Sequence, residues 1–248
     1  MAVFFSQTNW LGIDFAELGV ELDPSRTPDS NFYKAFYLAL TQKYADYESL
    51  PVAWKSVKLG DSLQLANLIS KPEKILSYGC GVGFLESELR RILENNLYVT
   101  DFSDVVLKYN LDFRDTFIEL GHIDSHRYSH IILNQVSYAL TDLDLEALIK
   151  NLGSLLSPGG KMLIGYSPQK SLKIHRRVAQ LARVWALAGV SFGYLKQKNQ
   201  SATNSQGWGW HRTIFEMNEI IRHANLTIIE THRFKTQIVV ELQSDGFV

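Results

Sequence analysis

The sequence predicts an α/β fold built on a mostly parallel sheet, and three observations carry that prediction. Between Lys74 and Tyr166, short apolar runs alternate with amphipathic segments. The first of these runs ends in the glycine cluster Gly79-Cys80-Gly81-Val82-Gly83. The last two apolar runs, Leu226–Phe234 and Thr236–Leu242, lie too close together for a crossover helix. Alternation implies a doubly wound sheet covered on both faces, and the close final pair implies an antiparallel C-terminal hairpin.

The elements follow in order. Residues 1–30, with Pro24 and Pro28, read as an irregular arm. Apolar and aromatic residues at helical spacing predict a helix from Phe32 to Tyr47, with Asp29 and Ser30 as caps, and a short second helix from Ser62 to Ile69. Strands are expected at Lys74–Tyr78, Leu97–Thr100, Thr116–Leu120, Ile131–Leu133 and Lys161–Tyr166. Helices are expected at Leu85–Glu94, at Ser103–Tyr109 behind a Ser103 cap, at Leu143–Leu156 and at Phe215–Ala224. Ser157-Pro158-Gly159-Gly160 reads as the stop of the third of these. The whole is one domain: an arm and helical cap over 1–70, a core over 71–166, an inserted lid over 167–213 and a C-terminal helix and hairpin over 214–248.

Composition excludes several classes. A hydrophobic share of 46% is too high for a disordered chain. One cysteine, Cys80, builds neither a disulfide framework nor a cysteine-rich zinc site, and points to a reducing, cytoplasmic compartment. The N-terminus has no basic region ahead of an apolar core, so no secretory signal is read there. The uncharged run from Val184 to Leu195 has 12 residues, against about 20 for a bilayer crossing. His122, His126 and His130 are spaced by four, but in a strand-loop-strand region where that spacing does not make a metal face, so no metal is expected.

In such sheets ligands bind at the carboxyl ends of the strands. The glycine cluster lies there, followed by a helix whose first N–H groups are free. Asp101 ends the next strand, placed to accept from a ribose diol. Together they point to a nucleoside ligand. A dinucleotide fingerprint needs G-x-G-x-x-G, but here Phe84 stands at the third glycine and the run is G-x-G-x-G.

KILSYGCGVG, VTDFS and LLSPGGKMLIG resemble, in order and spacing, the motifs of the Rossmann-like (class I) S-adenosylmethionine-dependent methyltransferases, over roughly Lys74 to Tyr166. The resemblance implies S-adenosyl-L-methionine as cofactor. Gly79, Gly81 and Gly83, with Ser77 and Cys80 in the same segment, would line its methionine and ribose part. Asp101 would bind the ribose hydroxyls, and Phe102 would lie against adenine. Ile123 and Asp124 would meet the adenine edge, and Asn134 would face the cofactor's amino group or the acceptor. Ser77 stands where the family usually has an acid, so it brings no charge to the loop or to the cofactor's ammonium.

The acceptor side is read from residues. In Gly207-Trp208-Gly209-Trp210-His211-Arg212-Thr213, two glycines let a loop fold over a site, Trp210 offers a wall, Arg212 a polar contact and His211 a base. LNQVSY at strand four differs from the N-P-P-Y loop of base amino-group methylases, which favours an oxygen acceptor. Ten bases, including Arg176 in an amphipathic segment, fall between Glu146 and Glu216 with no acid among them. That basic face has three readings: a solvated lid surface, a contact to an anionic small-molecule or glycan acceptor, or shallow docking on anionic lipid. No nucleic-acid module accompanies it. The resulting expectation is methyl transfer to a small-molecule or glycan-like, anionic acceptor at oxygen. The alternatives are a NAD-dependent oxidoreductase and a non-catalytic partner subunit. Oligomeric state is not encoded.

Overall fold

A computed structural model describes residues 3–5, 8–20, 29–69, 73–93, 96–123, 127–168 and 209–244. Its centre is a six-stranded sheet. Strands β4 (Ile75–Tyr78), β5 (Leu97–Thr100), β6 (Tyr128–Asn134) and β7 (Leu156–Tyr166) are parallel. The hairpin β9 (Leu226–Arg233) and β10 (Ile238–Ser244) completes the order β5-β4-β6-β7-β10-β9, with β10 antiparallel to both β7 and β9. The chain leaves β4 outward to β5 and returns on β4's other side as β6. The switch point therefore falls between β4 and β6, beside the glycine cluster.

Because both faces are covered, the central strands are apolar on both sides rather than alternating. Ile75, Ile132, Leu163 and Val239 pack against α2 (Val52–Leu68) and α3 (Phe84–Leu93). Leu76, Ile131, Leu133 and Ile164 pack against α5 (Asp142–Gly153) and α6 (Ile214–His223). A third cluster joins α1 (Ser30–Lys43) to residues 10–20 through Trp10, Phe15, Phe32 and Phe36. Asp29 caps α1 by accepting from the N–H groups of Asn31 and Phe32. Thr213 and Glu216 form a reciprocal capping box on α6.

Several elements differ from expectation. The arm holds β1 (Val3–Phe5), the small hairpin β2 (Asn9–Trp10) and β3 (Ile13–Asp14), and a 3-10 turn over Phe15–Leu18. The first helix stops at Lys43, and the second starts at Val52, ten residues early, because polar Lys55, Lys58 and Asp61 dilute its apolar period. The Ser103 helix contracts to α4 (Val106–Tyr109), with Ser103 Oγ accepting from the N–H of Val105. The strand expected at Thr116–Leu120 is a single parallel bridge from Phe117 to Val99. Ser157-Pro158-Gly159-Gly160 does not end a helix. The helix stops at Gly153, and these four residues swell out of β7, whose pairing with β6 jumps from Tyr128↔Leu156 to His130↔Lys161. Gly159, at φ 75°, permits that bend.

Candidate active site

The turn after β4 is built for close approach. Gly79, Gly81 and Gly83 have φ of 78°, 58° and 73°, in the left-handed region where a Cβ is strained. Space is short as well: a Cβ on Gly79 would sit 2.5 Å from Val136 Cγ2, and one on Gly83 2.4 Å from Val106 Cγ2. The N–H groups of Gly79 and Cys80 donate to Thr100 O, which fixes the turn against β5. From the other side, Tyr47 Oη donates to Val82 O at 2.8 Å.

Asp101, at the end of β5, accepts from the N–H of Gly81 at 2.8 Å through Oδ2. Burial pushes its carboxyl up to about 6, against the opposing pull of N–H groups from Gly81, Phe102 and Ser103. Around it stand Tyr33 and Tyr37 of α1 and Tyr138 of the 3-10 turn Ser137–Ala139. Burial holds the phenols of Tyr33 and Tyr37 well above the ordinary tyrosine range, so both are hydroxyls at neutral pH. Tyr33 stacks on Phe102 at 6.0 Å between ring centroids. Tyr37 Oη lies 3.1 Å from the place of a Cβ on Gly81.

Of the residues expected from sequence, the fold brings Ser77, Gly79, Cys80, Gly81, Gly83, Asp101 and Phe102 to one edge. Cys80 is buried and its thiol is pushed well up, which suits packing rather than chemistry. Asn134 turns toward α2, where it hydrogen-bonds Asp61. Ile123 packs on the α5–α6 core, and Asp124 and Arg176 lie outside the described residues.

Arg212 is a correction. It is 1% exposed, with Nε on Asp142 Oδ1 at 2.8 Å and its two terminal nitrogens on Ser137 O and Leu140 O at 2.6 Å. The guanidinium is committed to the fold and presents nothing to an acceptor. What it does is fasten the turn carrying Tyr138 to β8 (Gly209–His211). β8 pairs with β1 and carries Trp210 and His211. Gly209, at φ 100°, lies so close to Tyr138 that a Cβ would meet its carbonyl oxygen at 2.3 Å. His211 thus enters the site region through Tyr138. Burial, then Arg212, lowers its pKa, so the imidazole is neutral at pH 7.

Sequence reading missed a polar layer beneath the loop. Ser77 Oγ donates to Glu86 Oε1 of α3 at 2.7 Å, and burial pushes the Glu86 carboxyl up to about 7. Lys58 and Asp61 of α2 face the same layer, with Thr236 Oγ1 on Asp61 Oδ1 at 2.7 Å. The available signal was an acid in the first turn of the helix that follows a glycine loop lacking its usual acid.

A family model described as a methyltransferase domain matches residues 54–231, from α2 to β9. The chain belongs to this methyltransferase family. Its fold is that of the class I, S-adenosylmethionine-dependent methyltransferases, which removes the nicotinamide alternative. No curated protein matches the sequence at a significant level. Human N-acetylserotonin methyltransferase, solved with S-adenosylmethionine, is 15% identical at a TM-score of 0.55 over 88% of this chain and 57% of that one. An O-methyltransferase from neocarzinostatin biosynthesis, solved with S-adenosylhomocysteine and 1,4-dihydroxy-2-naphthoic acid, gives 15% and 0.55 over 87% and 59%. Magnesium protoporphyrin IX methyltransferase from Synechocystis PCC 6803 gives 15% and 0.53 over 86% and 96%. The chain therefore spans more than half the length of the first two and nearly all of the third.

Proposed function

We propose that this methyltransferase binds S-adenosylmethionine on the Gly79–Gly83 turn and transfers its methyl group to an oxygen of a small, hydroxyl-bearing, anionic acceptor. The observation that carries the reading is the Gly81–Asp101 hydrogen bond, which joins two loops at the switch point into one cradle. The cradle suits a nucleoside: three left-handed glycines bare the backbone where any Cβ would crowd, and a buried carboxylate keeps acceptor capacity for a diol. When bound, the cofactor supplies an electrophilic methyl carbon. The chain's own task is then placement and exclusion of water, which can supply much of the rate. Tyr33 and Tyr37 cover the cradle from α1, and Phe102 offers an aromatic face to adenine.

An oxygen nucleophile must lose its proton, and His211 is assigned that role. It is half-buried, neutral and carried on the strand that packs on Tyr138. Trp210 beside it is read as an acceptor wall. The anionic character of the acceptor is supported by the ten bases without an acid between Glu146 and Glu216. Most of these, Arg176 among them, lie outside the described residues; of the rest, Lys161 pairs with Glu241 and Arg212 with Asp142. The neighbour that binds 1,4-dihydroxy-2-naphthoic acid offers an acceptor class that joins hydroxyl and acid. Glycans and a lipid-surface contact are weaker variants resting on the same basic segment. The lone buried cysteine supports a cytoplasmic setting, and among the described residues no helix is long and apolar enough to cross a membrane.

Transfer of labelled methyl from S-adenosylmethionine to hydroxylated aromatic acids, sugar acids and their neutral analogues tests the reading. Labelling of the acids at oxygen is expected. Labelling confined to amines would reject it.

A further inference from the structure

The sheet face toward α2 and α3 is apolar through most of its depth but turns polar at its carboxyl edge, directly under the glycine turn. Ser77 is 1% exposed and Glu86 4%. Their 2.7 Å hydrogen bond uses Glu86 Oε1, and Oε2 has no hydrogen-bond partner. Asn134 Oδ1, on the same face, is also buried without one, but it lies against Gly165 beside Gln237, whose Nε2 is an unpartnered donor. Burying an acceptor such as Glu86 Oε2 is costly unless a donor reaches it. The groups facing Glu86 are Lys58 from α2, Ser77 from β4, Cys80 of the turn, Asp101 from β5 and Tyr47. Lys58 also faces Asp61, so one ammonium stands against two carboxylates in this layer, and a third carboxylate, Asp101, borders it. The layer is short of positive charge.

We infer that Glu86, held by Ser77, supplies the carboxylate oxygen that receives the ammonium of the methyl donor's amino-acid end. This rests on the donor proposed above. It places the charge that Ser77 does not carry nine residues further on, in the first turn of α3. An ammonium brings an N–H donor for Glu86 Oε2 together with a full positive charge. Glu86 is a binding and positioning residue here and takes no part in bond making. An ammonium beside the carboxylate favours its ionised form.

The test compares S-adenosylhomocysteine with 5′-methylthioadenosine, which keeps the nucleoside but lacks the amino-acid end, by calorimetry on the full chain. Wild type is expected to bind both. Glu86→Gln is expected to weaken S-adenosylhomocysteine tenfold or more and to leave 5′-methylthioadenosine within twofold. The double variant Ser77→Asp with Glu86→Ser is expected to recover most of the loss. Equal weakening of both ligands, or of neither, overturns the inference. Should Glu86→Gln fail to fold, wild type alone decides. At pH 7, titrations in two buffers of different ionisation enthalpy are expected to show proton release with S-adenosylhomocysteine and none with 5′-methylthioadenosine; no difference between the two ligands overturns the inference. If wild type binds neither ligand, the donor reading itself has failed, and the inference falls with it.

Discussion

The main-chain N–H of Gly81 donates to the Asp101 carboxylate at 2.8 Å, tying the turn after β4 to the end of β5 beside the switch point of the sheet. This bond makes the glycine turn and the acid one object, and Tyr37 closes on it from α1.

Gly83→Ala forces a Cβ to within 2.4 Å of Val106 Cγ2 at φ 73°. A loss of about 1–3 kcal/mol is expected, read as a lowered melting temperature together with weaker S-adenosylhomocysteine binding. Gly60→Ala is the control. It lies within α2 with nothing within 4 Å of its Cβ, so a gain of about 0.5–1 kcal/mol is expected from helix propensity.

Arg212→Met leaves Ser137 O and Leu140 O without their donor and Asp142 without its cation. A cost of about 3 kcal/mol or more follows, visible in urea unfolding. A residue serving only to contact acceptor would leave the unfolding midpoint unchanged.

His211→Ala is expected to lower kcat about a hundredfold or more, the scale of a lost general base. S-adenosylhomocysteine affinity should stay within twofold of wild type. Full turnover in this variant removes His211 from the chemistry.

The Glu86 carboxyl gives a pH signature. Its folded value of about 7 lies above the ordinary 4.5, so the unfolded chain releases the proton first as pH rises. Wild type therefore loses stability between about pH 4.5 and 7, and Glu86→Gln does not lose that share. Relative to wild type, Glu86→Gln is therefore expected to gain about 3 kcal/mol across this window, levelling off above it. Urea melts at pH 5, 6, 7 and 8 measure it; a constant difference contradicts the buried carboxyl. Asp101 faces Glu86, whereas His130 and His211 are not among its neighbours, so the comparison reports the Glu86–Asp101 pair.

The core of the fold was legible because its signals are local. Glycines at Gly79, Gly81 and Gly83 and an acid at Asp101 mark strand ends by chemistry that few other settings require. The hairpin was legible from distance along the chain alone. What could not be read was decided in three dimensions. Val52–Leu68 hides a helix because Lys58 and Asp61 point into a polar layer, where a helical apolar stripe would have had leucines. Thr116–Leu120 has strand composition, but it pairs with β5 at a single bridge, where Thr116 O accepts from the N–H of Val99 and the N–H of Ile118 donates to Val99 O. Arg212 looked available because nothing in Trp210-His211-Arg212 reveals that Ser137, Leu140 and Asp142, some 70 positions earlier, surround it. Glu86 has the position of an ordinary first-turn acid, and only the packing of α3 on β4 brings it to Ser77.

Titration of the folded 248-residue chain with S-adenosylhomocysteine, beside a parallel titration with NAD, tests the central claim most directly. Micromolar binding of the first and none of the second is expected, with Asp101→Ala weakening it tenfold or more. A well-folded sample that binds NAD, or that ignores S-adenosylhomocysteine at millimolar concentration, contradicts it.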